Sequence, residues 1–299
     1  MNRFISAAIA SAIVWVATPC SAQTVPQSTT FDVGAAHVVK TGSGTRPIIL
    51  LPGLACGPYE FADLLPQLAA THPVYALTFA GFDGVAAIRP PYLDAYERSV
   101  LELVEREHLV KPIIIGHSLG GHLAVRIAEQ YPDLPGAVIA IDALPLFPLP
   151  QPGETPQTRH AAAQRFAQMV AAADPMTFAR LARMQVASLV TSPQNVNLVV
   201  EHELRSDQTT IGGAAAEMMD DDLGPHLGDI TAPLLVIAPA PSTAVAQQMK
   251  DGYTGLYAGV NDLSVVSIAP AKHFVMLDQP GEFAQTINDF LTKKSPDHG

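Results

Sequence analysis

A chain of 299 residues that is 48% hydrophobic and only 15% charged has ample apolar material for a globular core and is too varied for a disordered or fibrous protein. Its 17 Lys and Arg against 28 Asp and Glu give a formal net charge of -11, so the surface repels polyanions and lacks the basic stripe that nucleic-acid binding requires. No Gly/Ser-rich linker, like-charge block or internal repeat divides the chain, which reads as one domain carrying an insertion.

Met1-Asn2-Arg3 is a short positive start, followed by an apolar stretch over 4–17 and the small residues Cys20 and Ala22. That layout predicts a signal peptide over 1–22, cleaved after Ala22, and hence a periplasmic or secreted protein. The stretch falls short of the roughly 20 residues that span a bilayer, and no later segment is long and apolar enough to do so. Cleavage removes Cys20 and leaves Cys56 alone, so no intramolecular disulfide is expected.

Beyond the signal, short Ile/Val/Leu runs without polar alternation lie at 47–51, 74–78, 112–115, 137–141, 233–237 and 263–268, the pattern of strands buried on both faces. Helical spacing of apolar residues fills 58–70, 92–108, 118–131, 243–250 and 281–293. Strands alternating with helices predict an α/β fold with a parallel sheet covered on both faces.

The alternation stops over 144–228, where Pro145, Pro148, Pro150, Pro152 and Pro156 precede a helical stretch. This divides the core into a first part, 23–143, and a second, 229–299, with an inserted helical lid between them. The lid carries Phe166, Met169, Met176, Phe178, Leu181, Met184, Leu189, Met218 and Met219. Such residues pack a lid, and a subset facing a cleft beneath it would contact an apolar substrate group.

Residues 112–121 read P-I-I-I-G-H-S-L-G-G, so Gly116, Ser118 and Gly120 form G-x-S-x-G between a strand run and a helical pattern. A chain turning from strand to helix that sharply strains Ser118, needs small neighbours, and presents the hydroxyl above the sheet edge as a nucleophile. The following helix directs free N–H groups at the same place, so the Leu119 amide is one expected oxyanion donor and Leu54, in Leu51-Pro52-Gly53-Leu54, the other.

Serine needs a base, and among ten histidines His273 has the right placement: a short loop after the last strand run and just before the final helix. His117 is expected to point away from the serine, and His122 to pack or cap. No acid follows 233–237, where the chain reads Ala238-Pro239-Ala240-Pro241-Ser242-Thr243. Asp142, at the end of 137–141, is the expected third member, with Asp251 and Asp262 in reserve.

With these residues the chain resembles the α/β-hydrolase superfamily over about 45–293. The resemblance implies an eight-stranded, mostly parallel sheet with a helical lid after strand six, Ser118 as nucleophile and His273 as base. Two departures stand out: Pro52 replaces the histidine usual before the oxyanion glycine, and the acid position after strand seven is vacant. Some branches place the acid after strand six, which Asp142 matches. Serine at 118 argues against the superfamily's epoxide hydrolases and haloalkane dehalogenases, which use aspartate there.

No His pair has zinc-ligand spacing, Asp220-Asp221-Asp222 reads as a solvated helix end, and neither Gly42-Ser43-Gly44 nor Gly212-Gly213 has the lysine or helix of a phosphate loop. No cofactor is expected. The sequence predicts an exported serine hydrolase acting on small carboxylic esters with an apolar group, with lactones and amides as kindred substrates. An acyltransferase and a non-catalytic binding protein on the same scaffold remain open at this point.

Overall fold

A computed structural model describes residues 28–294. The signal segment and its cleavage site lie outside the described residues.

The chain enters through β1 (Thr29–Val33) and β2 (Ala36–Thr41), an antiparallel hairpin turning at Gly34, whose φ of +52° suits glycine. The remaining strands are β3 (Ile48–Leu51), β4 (Val74–Phe79), β5 (Ile113–His117), β6 (Ala137–Ile141), β7 (Leu234–Pro239) and β8 (Leu263–Ile268). Their order across one sheet is β1-β2-β4-β3-β5-β6-β7-β8, with β2 antiparallel to β4 and every later pairing parallel. This is the eight-stranded, mostly parallel sheet of the α/β-hydrolase fold. Every position of β3 to β7 is buried, as the unbroken apolar runs require.

Alternate residues of those strands feed two cores. Ile49, Leu51, Ile114 and Val138 pack with Tyr96 and Val100 of α2 (Tyr92–Arg106), Leu123 and Ile127 of α3 (Leu119–Gln130), and Tyr257 beside α8 (Ala246–Leu256). Ile48, Leu50, Ile113, Ile115 and Ile139 pack on the other face with Leu68 of α1 (Leu65–Ala69), Val275 of α9 (Val275–Asp278), and Ile287 and Phe290 of α10 (Pro280–Lys293). Each fully buried aliphatic side chain contributes about 1.5–3 kcal/mol, so these two layers hold the sheet edge rigid where the site is built.

The helix expected over 58–70 is divided into a 3-10 turn, Pro58–Phe61, and α1. Pro66 is the reason: without an N–H it fits only the first turn of a helix, so α1 starts there instead of continuing.

Between β6 and β7 the chain forms α4 (Pro156–Ala172), α5 (Pro175–Leu189), α6 (Pro193–Glu203) and α7 (Gln208–Asp220). Thr155, Asp174, Ser192 and Asp207 cap them, each accepting backbone N–H groups from the first turn, and proline occupies the first position of α4, α5 and α6. Among the described residues no helix is long and apolar enough to cross a membrane.

Candidate active site

At the end of β5 a single residue, Ser118, separates strand from helix, with φ 52° and ψ -117°. The turn leaves no room for a side chain at positions 116 and 120. A Cβ on Gly116 would lie 2.1 Å from the Gly120 carbonyl oxygen, and one on Gly120 would lie 2.2 Å from that of Leu51. Both glycines of G-x-S-x-G are thus fixed by backbone approach. Ser118 N–H donates to the Ile141 carbonyl at 2.9 Å, which ties the turn to the end of β6. Its side chain is half-buried, with α3 starting directly behind it.

Asp142 follows β6 immediately, its N–H donating to the Ile237 carbonyl at 2.9 Å. His273 lies in the loop between β8 and α9. Its Nδ1 meets Asp142 Oδ2 at 2.6 Å, and the Tyr253 hydroxyl donates to Asp142 Oδ1. Burial works against charge on Asp142, but the hydrogen bond and charge of His273 and the Tyr253 hydroxyl outweigh it, and the carboxyl is held below the ordinary aspartate value. The reserve acids are elsewhere: Asp251 accepts from Gln247 at 2.7 Å, and Asp262 pairs with Lys294 at 2.7 Å.

His117 has a partner the sequence did not reveal. Its Nδ1 meets Glu60 Oε1, its Nε2 meets the His273 carbonyl at 3.1 Å, and both side chains of the pair are fully buried. The other Glu60 oxygen accepts the Gly53 N–H at 2.9 Å. One carboxylate therefore links the loop after β3, the residue before Ser118 and the backbone of His273. Removing one partner of a buried pair leaves the other uncompensated, at about 3–5 kcal/mol. Glu60→Ala is expected to lower stability by that amount in urea unfolding, and Glu60→Gln, which still accepts from Gly53, by less; an unchanged midpoint for Glu60→Ala would contradict the linkage.

His122 does more than pack: Nε2 meets Asp221 at 3.0 Å and Nδ1 the Leu144 carbonyl at 3.2 Å. The acidic run is accordingly not a freely solvated helix end. Asp221 also faces Arg126 at 3.6 Å, and Asp220 meets His160 at 2.7 Å. Cys56 is buried, accepts from the Tyr59 hydroxyl at 3.2 Å, and has its thiol pKa pushed well up by burial, which works against a thiolate.

Two cavities meet at the serine. One, of about 430 Å³, is bounded by Ser118, His273 and the inserted helices through Phe166, Met169, Phe178, Leu181 and Met184. The other, of about 760 Å³, shares Leu54, Ser118, Phe166, Leu189 and His273 and extends to Phe147, Met218 and Met249. The insertion's large apolar residues are thus divided. Met176 stands on the outer surface, while the others named here face a cleft. Leu54 borders both cavities and Leu119 opens α3, and among the described residues neither amide donates to another group.

Residues 48–286 match the alpha/beta hydrolase family, and the chain belongs to it. It is 26% identical to 2-(acetamidomethylene)succinate hydrolase of Mesorhizobium japonicum over 263 residues, covering 87% of this chain and 93% of that protein. Among solved structures it resembles the enol-lactonase from Burkholderia xenovorans LB400, with a TM-score of 0.71 at 18% identity over 88% of this chain and all of the other. It also resembles a thermophilic esterase from Thermogutta terrifontis, with a TM-score of 0.74 at 19% identity over 90% of this chain and all of the other. The fold of these proteins is shared, and the named relative is a hydrolase.

Proposed function

We propose that the chain is an exported serine hydrolase that cleaves small carboxylic esters bearing an apolar group. The observation that carries the reading is the His273–Asp142 contact at 2.6 Å, made by residues 131 positions apart and bordering a cavity that Ser118 also lines. In this reading Ser118 Oγ attacks the ester carbonyl carbon while His273 Nε2 takes its proton, and the imidazolium so formed is stabilised by Asp142 at Nδ1. The free amides of Leu54 and Leu119 hold the developing oxyanion. His273 then returns the proton to the departing alcohol, and water, deprotonated by the same nitrogen, releases the acid and restores Ser118.

In this reading the acyl and alcohol parts of the ester are divided between the two cavities that share Ser118 and His273. The signal segment over 1–22 is part of the same reading, with a mature protein starting at Gln23 and acting in the periplasm or medium.

A p-nitrophenyl ester series of increasing acyl length tests it. Hydrolysis is expected, with an optimum set by the cavity that takes the acyl chain. Failure to hydrolyse any member, together with no reaction at Ser118 with a fluorophosphonate, would contradict it.

A further inference from the structure

Away from the catalytic end the smaller cavity is apolar except for the Cys56 thiol, the Gln185 amide and the Glu203 carboxyl group. Val199 and Glu203, one helical turn apart on α6, both border it, and Glu203 is the last residue of that helix. No Lys or Arg lines this cavity. Among the described residues no hydrogen-bond donor reaches the Glu203 carboxyl.

A glutamate here works against folding. Burial pushes its pKa up to about 7, and the carbonyl end of a helix disfavours an anion. Yet its backbone is held firmly. His202 Nδ1 meets Asp83 Oδ1 at 2.8 Å and its ring stacks on Tyr59 with centroids 3.7 Å apart. Arg205 Nε donates to the same Asp83 oxygen at 2.9 Å, and the buried Ser206 donates its N–H to the Glu203 carbonyl at 2.9 Å. A half-buried acceptor to which no side chain of the described residues donates, fixed on a cavity wall, is the arrangement of a recognition group.

We propose that Glu203 binds a hydrogen-bond-donating head, ammonium or hydroxyl, at the end of an otherwise apolar arm of the substrate. The inference rests on the serine-hydrolase reading of the same site. The arm lies along Phe178, Met184 and Val199, and its head donates to a carboxyl group that no other side chain of the described residues bonds. A carboxylate head is disfavoured, since it would face Glu203 with no cation beside it. This cavity therefore selects differently from what the name of the Mesorhizobium relative, a hydrolase of a succinate derivative, implies for that protein.

The test compares p-nitrophenyl hexanoates carrying a terminal ammonium, hydroxyl, methyl or carboxylate group. The wild type is expected to favour the ammonium and hydroxyl esters over the methyl ester by about ten- to hundredfold in kcat/KM, with the carboxylate ester poorest. Glu203→Leu brings the donor-to-methyl ratio to about one, and Glu203→Gln loses the ammonium preference while keeping part of the hydroxyl preference. A wild-type ratio of one or less, or a ratio unchanged in Glu203→Leu, overturns the proposal, and the wild-type ratio decides even where a variant fails to fold. Calorimetry of hexylamine, hexanol and hexanoate with Ser118→Ala separates this inference from the function it rests on. Tighter binding of the amine or alcohol supports it whether or not esters are cleaved, and tighter binding of hexanoate overturns it.

Discussion

Ser118→Ala lowers ester turnover by roughly 10⁴- to 10⁶-fold and leaves the fold intact. The expected loss is large because the carbonyl carbon then has no attacking hydroxyl, and what survives is the contribution of the Leu54 and Leu119 amides and of substrate binding. The fold is expected to persist because Ser118 is held by its backbone, through its N–H to the Ile141 carbonyl and its carbonyl to the His122 N–H, both at 2.9 Å. Alanine keeps both. The φ of 52° strains serine and alanine alike, so the melting temperature is expected to stay close to that of the wild type. Turnover on a p-nitrophenyl ester and thermal unfolding by circular dichroism check the two halves separately, and near-normal turnover would remove the serine from the mechanism.

Asp142→Asn is expected to lower kcat by about 10⁴-fold. Asparagine retains the shape but presents an amide that neither fixes the Nδ1 proton of His273 nor stabilises its imidazolium, while its oxygen still accepts from Tyr253. Asp251 and Asp262, in their own contacts with Gln247 and Lys294, are not placed to substitute. The same replacement alters the pH dependence of stability. A carboxyl held below its unfolded value of about 3.9 contributes stability that is fully present above that pH and is lost as pH falls through the lower, folded value. The wild type thus has a stability increment near neutral pH that Asp142→Asn lacks, and the two converge on acidification. Urea unfolding at neutral and acidic pH reads this, and equal pH dependence in both proteins would contradict the assigned Asp142 environment.

Much of this architecture was legible in the sequence because the physics that makes it is local. Six apolar runs without alternation mark six strands of the parallel sheet, and Pro156, the last of the five prolines that break the alternation, stands at the start of α4. Ser118 was legible for the same reason, since Gly116 and Gly120 are demanded by a backbone turn written in five consecutive residues. The hairpin β1-β2 escaped notice because it is an edge with one exposed face, where Thr29, Thr30, Asp32 and Lys40 mask the apolar positions.

The residues that support Ser118, Asp142 and His273 were not legible, and no local signal for them exists. Glu60 lies 57 positions before His117, in a stretch that reads as ordinary amphipathic helix, and becomes meaningful only when the loop after β3 meets the end of β5. Tyr253 is one of several apolar residues on α8 until β6 ends beside it, 111 positions away in sequence. Glu203 closes a helix of unremarkable composition, and its place on the wall of a cavity beside Ser118 is a property of the folded chain alone. Asp142 was within reach as the expected acid only because strand order places the ends of β5, β6 and β7 side by side, so that a residue just after β6 emerges near Ser118.

The central claim, that Ser118 is an activated nucleophile, is tested most directly by treating the purified chain with a fluorophosphonate and locating the adduct by peptide mass spectrometry. The account predicts one adduct, on Ser118, absent from Ser118→Ala and formed much more slowly in Asp142→Asn. An adduct on another residue, or no adduct in a preparation that hydrolyses esters, would contradict it.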